Sequence, residues 1–370
     1  LHGITGVLEN NMMDMSLMAL SHFPMLNTLE LTPAMYLGSC RYKLPDYTED
    51  PAPYKQIFER FEEYGISAFF YIGGNDSMDT VLKLSNYAKS IQSDVKIIGV
   101  PKTIDNDLFA TDHTPGFGSA AKYVASTVLE IAHDAYIYKI PAVIIIEIMG
   151  RDAGWLTASS ALARTTYSQA PDLIYLPEVA FSKEQFLADV KDKLTKQKTV
   201  IVAVSEGIHD ADGNYISSDS AVADKFGHAQ LSGAGKALEY LVRDEIGVKV
   251  RSIELNVLQR CAGHIASRTD ITESFSLGQA AVKYAAEGKT GIMAAIERIS
   301  NDPYQWVIKS ADVADIANEA KSVPVEWINE AGNDVTDEMI DYLRPLIIGE
   351  VSLQYKDGLP VYLPVDHLLH

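Results

Sequence analysis

Five short, largely apolar runs constrain this chain more than any other feature: Ile66–Ile72, Val95–Val100, Ala142–Ile148, Thr199–Val204 and Val250–Leu255. Runs of this length, bounded by turn formers, read as strands buried on both faces. Between most of them lie helix-length amphipathic stretches such as Ser77–Ser90 and Ser119–Ala135. The alternation predicts an α/β architecture with parallel sheets. With 370 residues, 47% of them hydrophobic, the chain is long enough for about two such domains.

The residues at the C-terminal end of each run carry the next signal. Gly73-Gly74-Asn75-Asp76-Ser77 closes the first run and Pro101-Lys102-Thr103-Ile104-Asp105-Asn106-Asp107 the second. The third leads into Met149-Gly150-Arg151-Asp152-Ala153-Gly154, and the fourth into Ser205-Glu206-Gly207. Ligands of open parallel sheets bind beyond the carboxyl ends of the strands. Turn chemistry alone also puts Gly, Asn and Asp at such places. Repeated mixing of glycine, acid and base at four strand ends instead marks one crevice built from several loops.

The glycines of Gly73-Gly74-Asn75-Asp76-Ser77 let backbone amides approach an anion at a helix N-terminus. Asp76 and Ser77 also suit a plain N-cap. Lys102–Asp107 is the sharper signal. Phosphoryl transfer needs a base for the attacking hydroxyl and cations on the transferring oxygens. Asp105 and Asp107, two apart in an extended segment, project to one side, where they can share a Mg²⁺ environment or divide into base and metal support. Lys102 helps keep a neighbouring carboxylate ionised and meets a phosphate as a point charge.

Together with Thr111-Asp112-His113-Thr114-Pro115-Gly116-Phe117-Gly118, this segment resembles the active-site signature of the phosphofructokinase family in its pyrophosphate-using form. Glu147-Ile148-Met149-Gly150-Arg151 and Ser205-Glu206-Gly207 resemble two further family signatures, in order. Leu37-Gly38-Ser39-Cys40-Arg41 upstream, and Val250-Arg251 and Leu258-Gln259-Arg260 downstream, extend the resemblance from about Gly6 to beyond Ile296.

The resemblance implies two doubly wound, Rossmann-like parallel-sheet domains with the active site between them. Residues 1–117 with 259–300 would form a donor domain for pyrophosphate and Mg²⁺, and 118–258 with 301–370 a sugar-phosphate domain. It implies reversible phosphoryl transfer from pyrophosphate to the 1-hydroxyl of fructose 6-phosphate, Asp105 being the general base. Thr103 and Ile104 join Asp105 in meeting the sugar and the transferring phosphate. Met149, Gly150 and Arg151 hold the sugar, Arg151 also stabilises the transition state, and Glu206 receives sugar hydroxyls. Arg251 and Arg260 grip the 6-phosphate, Arg251 being lent by a neighbouring subunit of a homodimer or homotetramer. Arg41 contacts the bridging phosphate, Gly74, Asp76 and Lys102 the donor, and Asn75 and Asp107 the metal. ATP-using members keep glycine where Asp76 and Lys102 stand. Asp76 then fills and repels the place of a nucleotide phosphate, while Lys102 serves the leaving phosphate, so the resemblance favours pyrophosphate over ATP. Retention of Asp105, Asp107, Arg151 and Glu206 likewise favours an enzyme over a non-catalytic, sugar-phosphate-binding relative.

The net charge of −19 argues against nucleic acid or an anionic membrane as partner. It also requires a local basic cluster for anionic substrates, which Arg41, Lys102, Arg151, Arg251 and Arg260 would supply. No run of eighteen uncharged apolar residues occurs, the first residues show no secretory pattern, and cysteine is used only at Cys40 and Cys261. A cytoplasmic enzyme is the expectation.

Three departures from the family stand out. Its opening strand and glycine-rich turn have no counterpart, and with Leu1 in first place the expectation is an N-terminally incomplete chain lacking roughly forty residues. Asn75 stands where many members carry aspartate. Val257 and Ala142 replace a histidine or tyrosine and an arginine, with Lys139 a candidate substitute in gripping the sugar phosphate. His113 reads as a structural histidine, and 302–370 carries no catalytic signal.

Overall fold

The computed structural model describes residues 2–5, 8–9, 12–13, 16–19, 26–36, 42–216, 222–223, 229–230, 233–317 and 320–364. Its core is two four-stranded sheets. The first contains β1 (Ala68–Gly73), β2 (Lys96–Pro101), β7 (Ile292–Asn301) and β8 (Tyr304–Asp312), side by side in that order. β1, β2 and β7 run parallel, and β8 closes the edge antiparallel to β7. The second contains β3 (Ala142–Ile148), β4 (Leu173–Tyr175), β5 (Thr199–Ser205) and β6 (Lys249–Glu254), ordered β6-β3-β5-β4 and wholly parallel.

The inner strands are largely apolar because each sheet is covered on both faces. In the first, Ile97, Met293 and Ala295 meet α1 (Ala52–Glu63) and α2 (Asn75–Ser90) through Phe58, Phe61, Val81 and Leu84. Their neighbours Ile98, Ala294 and Ile296 point the other way, onto Leu277 and Ala281. In the second, Ile146, Ile148, Ile201 and Ala203 pack under α3 (Phe117–Tyr136), α4 (Trp155–Ser159) and the C-terminal Met339, Tyr342 and Leu343. Val143, Ile145, Val200 and Val202 face α5 (Lys183–Lys196) and α6 (Ala234–Glu245). Each fully buried side chain of this kind contributes about 1.5–3 kcal/mol. These are the doubly wound sheets the sequence leads one to expect.

The chain visits both cores more than once. α7 (Arg268–Ala286) returns to the first sheet, and α8 (Asp337–Leu343) belongs to the second core. One assignment changes. Residues 301–370 were expected in the second unit, yet β8 pairs with β7 from Asn301↔Tyr304 to Ile292↔Asp312. The two-residue turn Asp302-Pro303 is too short to carry the chain out of the sheet, so β8 stays in it.

Candidate active site

Parallel pairing brings the strand ends together: Gly73 lies opposite Pro101 in one sheet and Ile148 opposite Ser205 in the other. The loops beyond those ends carry the chemistry.

β1 turns into α2 with no connecting residue beyond Gly74, the N-cap. The turn is so tight that a Cβ on Gly73 would meet the Ser77 hydroxyl at 1.9 Å. Asn75, first in the helix, donates from Nδ2 to Asp107 Oδ2 at 3.1 Å and more weakly to the Asp107 carbonyl at 3.4 Å. Asp76 is on the same turn.

After β2 the backbone is pinned on both sides. Lys102 N donates to the Gly73 carbonyl at 2.9 Å, and Thr103 N to the Pro115 carbonyl at 3.2 Å. The Thr103 hydroxyl accepts from Asp105 N at 3.1 Å and approaches Asp105 Oδ2 at 3.4 Å. Ile104 packs into the second core. The segment is not extended as expected: Asn106 adopts φ +56°, a left-handed turn between the two aspartates. Asparagine tolerates that region when its side chain is hydrogen-bonded. Here its Nδ2 donates to the Tyr342 hydroxyl at 2.9 Å, and Lys321 Nζ reaches its Oδ1 at 3.5 Å.

The second sheet supplies the opposing wall. Gly150, at φ +138°, donates its N–H to Glu206 Oε1 at 3.3 Å, and its carbonyl accepts the Ser205 hydroxyl. Met149 N donates to Gln259 Oε1 at 3.4 Å. The loops after β3 and β5 are in such close contact that a Cβ on Gly207 would lie 1.8 Å from the Arg151 carbonyl oxygen.

The electrostatics join the two walls. Burial raises Asp105 above the usual carboxylate range, while its contact with Thr103 and the charges of Lys102 and Arg151 pull it back. Burial, helped by the Asp105 charge, pushes Asp107 up to about 6. Glu206 is pushed up to about 7, again by burial first, with Asp105 among the contributing charges. Arg151, Asp152 and Glu206 of one sheet therefore share a field with Asp105 of the other.

Three buried polar atoms in this crevice have no hydrogen-bond partner: Asn75 Oδ1, Asp107 Oδ1 and Arg151 Nε. Two orphaned oxygens suit a hard cation that takes its remaining ligands from water and phosphate. A buried guanidinium N–H without an acceptor suits an anion. Among the described residues no three His, Cys, Asp or Glu side chains form a metal cluster of their own.

Not every expected residue joins the crevice. Arg41 and Cys40 lie outside the described residues. Arg251 pairs with Ile144 in the middle of the edge strand β6, exposed and away from the strand ends. With Lys249, Asp134 and Tyr138 it lines a cavity of about 60 Å³ at the other end of the sheet. Arg260 is exposed in the turn after β6, as are Val257 and Cys261. His113 is buried between Asp112 (Nδ1, 2.7 Å) and Glu273 (Nε2, 2.6 Å), structural as its surroundings in the sequence imply. The segment after 302, read as silent, sends Lys321 and Tyr342 to the active-site turn. No local pattern marks them, because their partner Asn106 is over 200 residues away.

The chain matches the family description Phosphofructokinase over residues 1–285. It is 41% identical, over 99% of its own length and 88% of the relative's, to a pyrophosphate--fructose 6-phosphate 1-phosphotransferase of Xanthomonas campestris pv. campestris. A second relative of that name, from Halomonas elongata, is 38% identical over 97% of this chain and 85% of the relative. Among solved structures, a pyrophosphate-dependent phosphofructokinase of Nitrosospira multiformis superposes with a TM-score of 0.82 at 39% identity, covering 91% of this chain and 80% of the other.

Proposed function

This chain belongs to the phosphofructokinase family, and from that membership we propose that it transfers a phosphoryl group reversibly between pyrophosphate and the 1-hydroxyl of fructose 6-phosphate. The sugar oxygen bonds to one phosphorus as the bridging P–O bond breaks; phosphate leaves, and the sugar proton passes to Asp105. The observation that carries this reading is a half-buried Asp105 that feels the charges of Lys102 on its own loop and of Arg151 from the opposite sheet. Burial makes the carboxylate a better proton acceptor than it is in water, and the two cations act against that rise.

Around that base the remaining groups take complementary tasks. Thr103 orients the Asp105 carboxylate. Arg151 offers its unpaired Nε–H to the equatorial oxygens that gain charge, where a preorganised donor contributes most. Gly150 and Glu206, already joined by a hydrogen bond, hold the sugar. Lys102 meets the leaving phosphate, and Asp76 stands where a longer, nucleotide-bearing donor would run. Asn75 and Asp107, each with an unpaired side-chain oxygen, would hold Mg²⁺, which would supply charge neutralisation for the phosphoryl oxygens. The donor belongs to the first sheet and the sugar phosphate to the second. Arg251, exposed on the edge strand of its sheet and away from the crevice, fits service to a neighbouring subunit of a homodimer or homotetramer, in a cytoplasmic setting. Among the described residues no helix is long and apolar enough to cross a membrane.

The test is kcat/KM of the full chain for pyrophosphate and for ATP with fructose 6-phosphate and Mg²⁺. Strong preference for pyrophosphate is expected; preference for ATP, or no turnover with either, overturns the reading.

A further inference from the structure

Asp105 and Asp107 are separated by one residue, and that residue sets where their carboxylates point. Asn106 is fully buried and left-handed, a conformation a side chain other than glycine keeps only when its surroundings hold it. Its holder comes from the other core. Tyr342, on α8, accepts from Asn106 Nδ2 at 2.9 Å and donates its own hydroxyl hydrogen to the Asp112 carbonyl at 2.8 Å. The ring has little freedom to shift: it lies against Trp155 at 5.3 Å and Trp327 at 5.4 Å, with the Arg298 guanidinium 4.5 Å above it. Arg298 also donates to the Tyr342 carbonyl at 2.9 Å and to Asp112 Oδ2 at 2.8 Å. The hydroxyl is thus a fixed point in the second core from which the turn in the first is suspended.

We propose that Tyr342 is a positioning residue for phosphoryl transfer, acting through the Asn106 side chain to hold Asp105 and Asp107 in register with Arg151 and Glu206 across the crevice. The inference rests on the function proposed above. Tyr342 touches no reacting atom; its effect is the placement of the base, and small misplacements of a base cost up to about 10²-fold in rate. The Asn106 tether explains why this hydroxyl, and not merely the bulk of the ring, matters.

The experiment compares steady-state kinetics and thermal melting of four full-length variants with the parent: Tyr342→Phe, Asn106→Gly, the double variant, and Tyr304→Phe. Tyr304 is a control, since its hydroxyl donates to Glu273 at 2.6 Å in the neighbouring network without reaching Asn106. Tyr342→Phe is expected to lower kcat about 10–100-fold with KM for fructose 6-phosphate within about threefold. Asn106→Gly keeps a backbone that tolerates positive φ but loses the tether, and should lower kcat by a similar factor. Adding Tyr342→Phe to it should change kcat no further, because the two act as one unit. Tyr304→Phe should lower the melting temperature and leave kcat in place. The proposal is overturned if Tyr342→Phe keeps parental kcat, if Tyr304→Phe loses as much, or if the two losses multiply in the double variant. Should Tyr342→Phe fail to fold, undiminished kcat in Asn106→Gly overturns it alone. A parent without pyrophosphate-dependent turnover strikes instead at the function on which it rests.

Discussion

Asp105 combines two properties that pull apart in water: it must be ionised to accept a proton, yet basic enough to take one. Burial supplies the basicity, while Lys102 and Arg151 limit it. Asp105→Ser is therefore expected to lower kcat by about 10²–10⁴-fold, the range for loss of a general base. KM for the sugar phosphate should hardly move; activity within tenfold of the parent would assign the proton to another group. Donor choice also sits in single side chains. Lys102→Gly removes a charge-assisted contact of about 1.5–3 kcal/mol, so pyrophosphate turnover should fall roughly 10–200-fold. Asp76→Gly should chiefly admit ATP, and the double change should move the kcat/KM ratio of the two donors towards ATP. An unmoved ratio would locate donor choice elsewhere. At this scale the sequence singles out Lys102, Asp105 and Asp107, because they lie in one seven-residue segment whose chemistry needs no partner to be recognised. The turn at Asn106 was not. Asn75 also lies just beyond a strand, and the asparagine forced left-handed is selected by Tyr342, which no window around residue 106 contains.

The strands were legible for the reason they exist. The inner ones are covered on both faces, so their residues are apolar without interruption enough to fix their ends to within two residues, as at Ala142–Ile148, whereas β6 is an exposed edge found from a mixed run. β4 escaped that reading because it is only three residues long, and β7 and β8 because they form an antiparallel edge. The outer half of β7 and the whole of β8 alternate between half-buried and exposed, and such strands carry too many polar residues to register as apolar runs. The loops after the strands show the same division. Gly150 and Gly207 read as turn formers, but their spatial reason is that two loops from different strands touch. A Cβ on Gly207 would sit 1.8 Å from the Arg151 carbonyl oxygen, which is backbone and has nowhere to yield without moving the whole loop. Gly207→Ala is expected to destabilise the fold by about 1–3 kcal/mol, as overpacking does. It should also lower kcat about 10²-fold by displacing Arg151. Melting temperature and kcat, measured on the same preparation, check both; a variant with parental values in each would show that the loops part at little cost.

Across the whole molecule, one cluster of buried and half-buried charge ties the first sheet to the loop after β2. Asp112 joins Arg298 of β7 and His113 on its own loop, and His113 reaches Glu273 of α7, which also accepts the Tyr304 hydroxyl of β8. Lys321, brought down to about 8 by burial, donates to the Asp112 carbonyl at 2.6 Å, so the chain between the two cores ends on the same cluster. With a carboxylate at each ring nitrogen, His113 is held as the imidazolium, and these contacts raise it above its ordinary 6.5 despite the opposing effect of burial. A group whose folded-state value is raised contributes stability that is complete below the unfolded value and is lost as pH climbs through the folded one. Asp112, held low by His113 and Arg298, stays ionised across that window and adds no slope. Asp107 at about 6 and Glu206 at about 7 are also raised, and their contributions also fade with rising pH, so the parent's melting curve alone is ambiguous. The difference between parent and His113→Gln removes them, because both proteins share those two carboxylates. Below about pH 6.5 the substitution leaves Glu273 buried without its cation, a loss of about 3–5 kcal/mol for breaking a buried pair. As pH climbs through the raised value of His113, the parent's own imidazole loses its charge, and the loss should shrink. The expected result is a gap in melting temperature that is wide on the acid side and narrows steadily as the solution is made alkaline. A gap that stays constant over this range would mean that His113 is neutral in the fold and that the cluster is held by Arg298, Lys321 and the tyrosine hydroxyls.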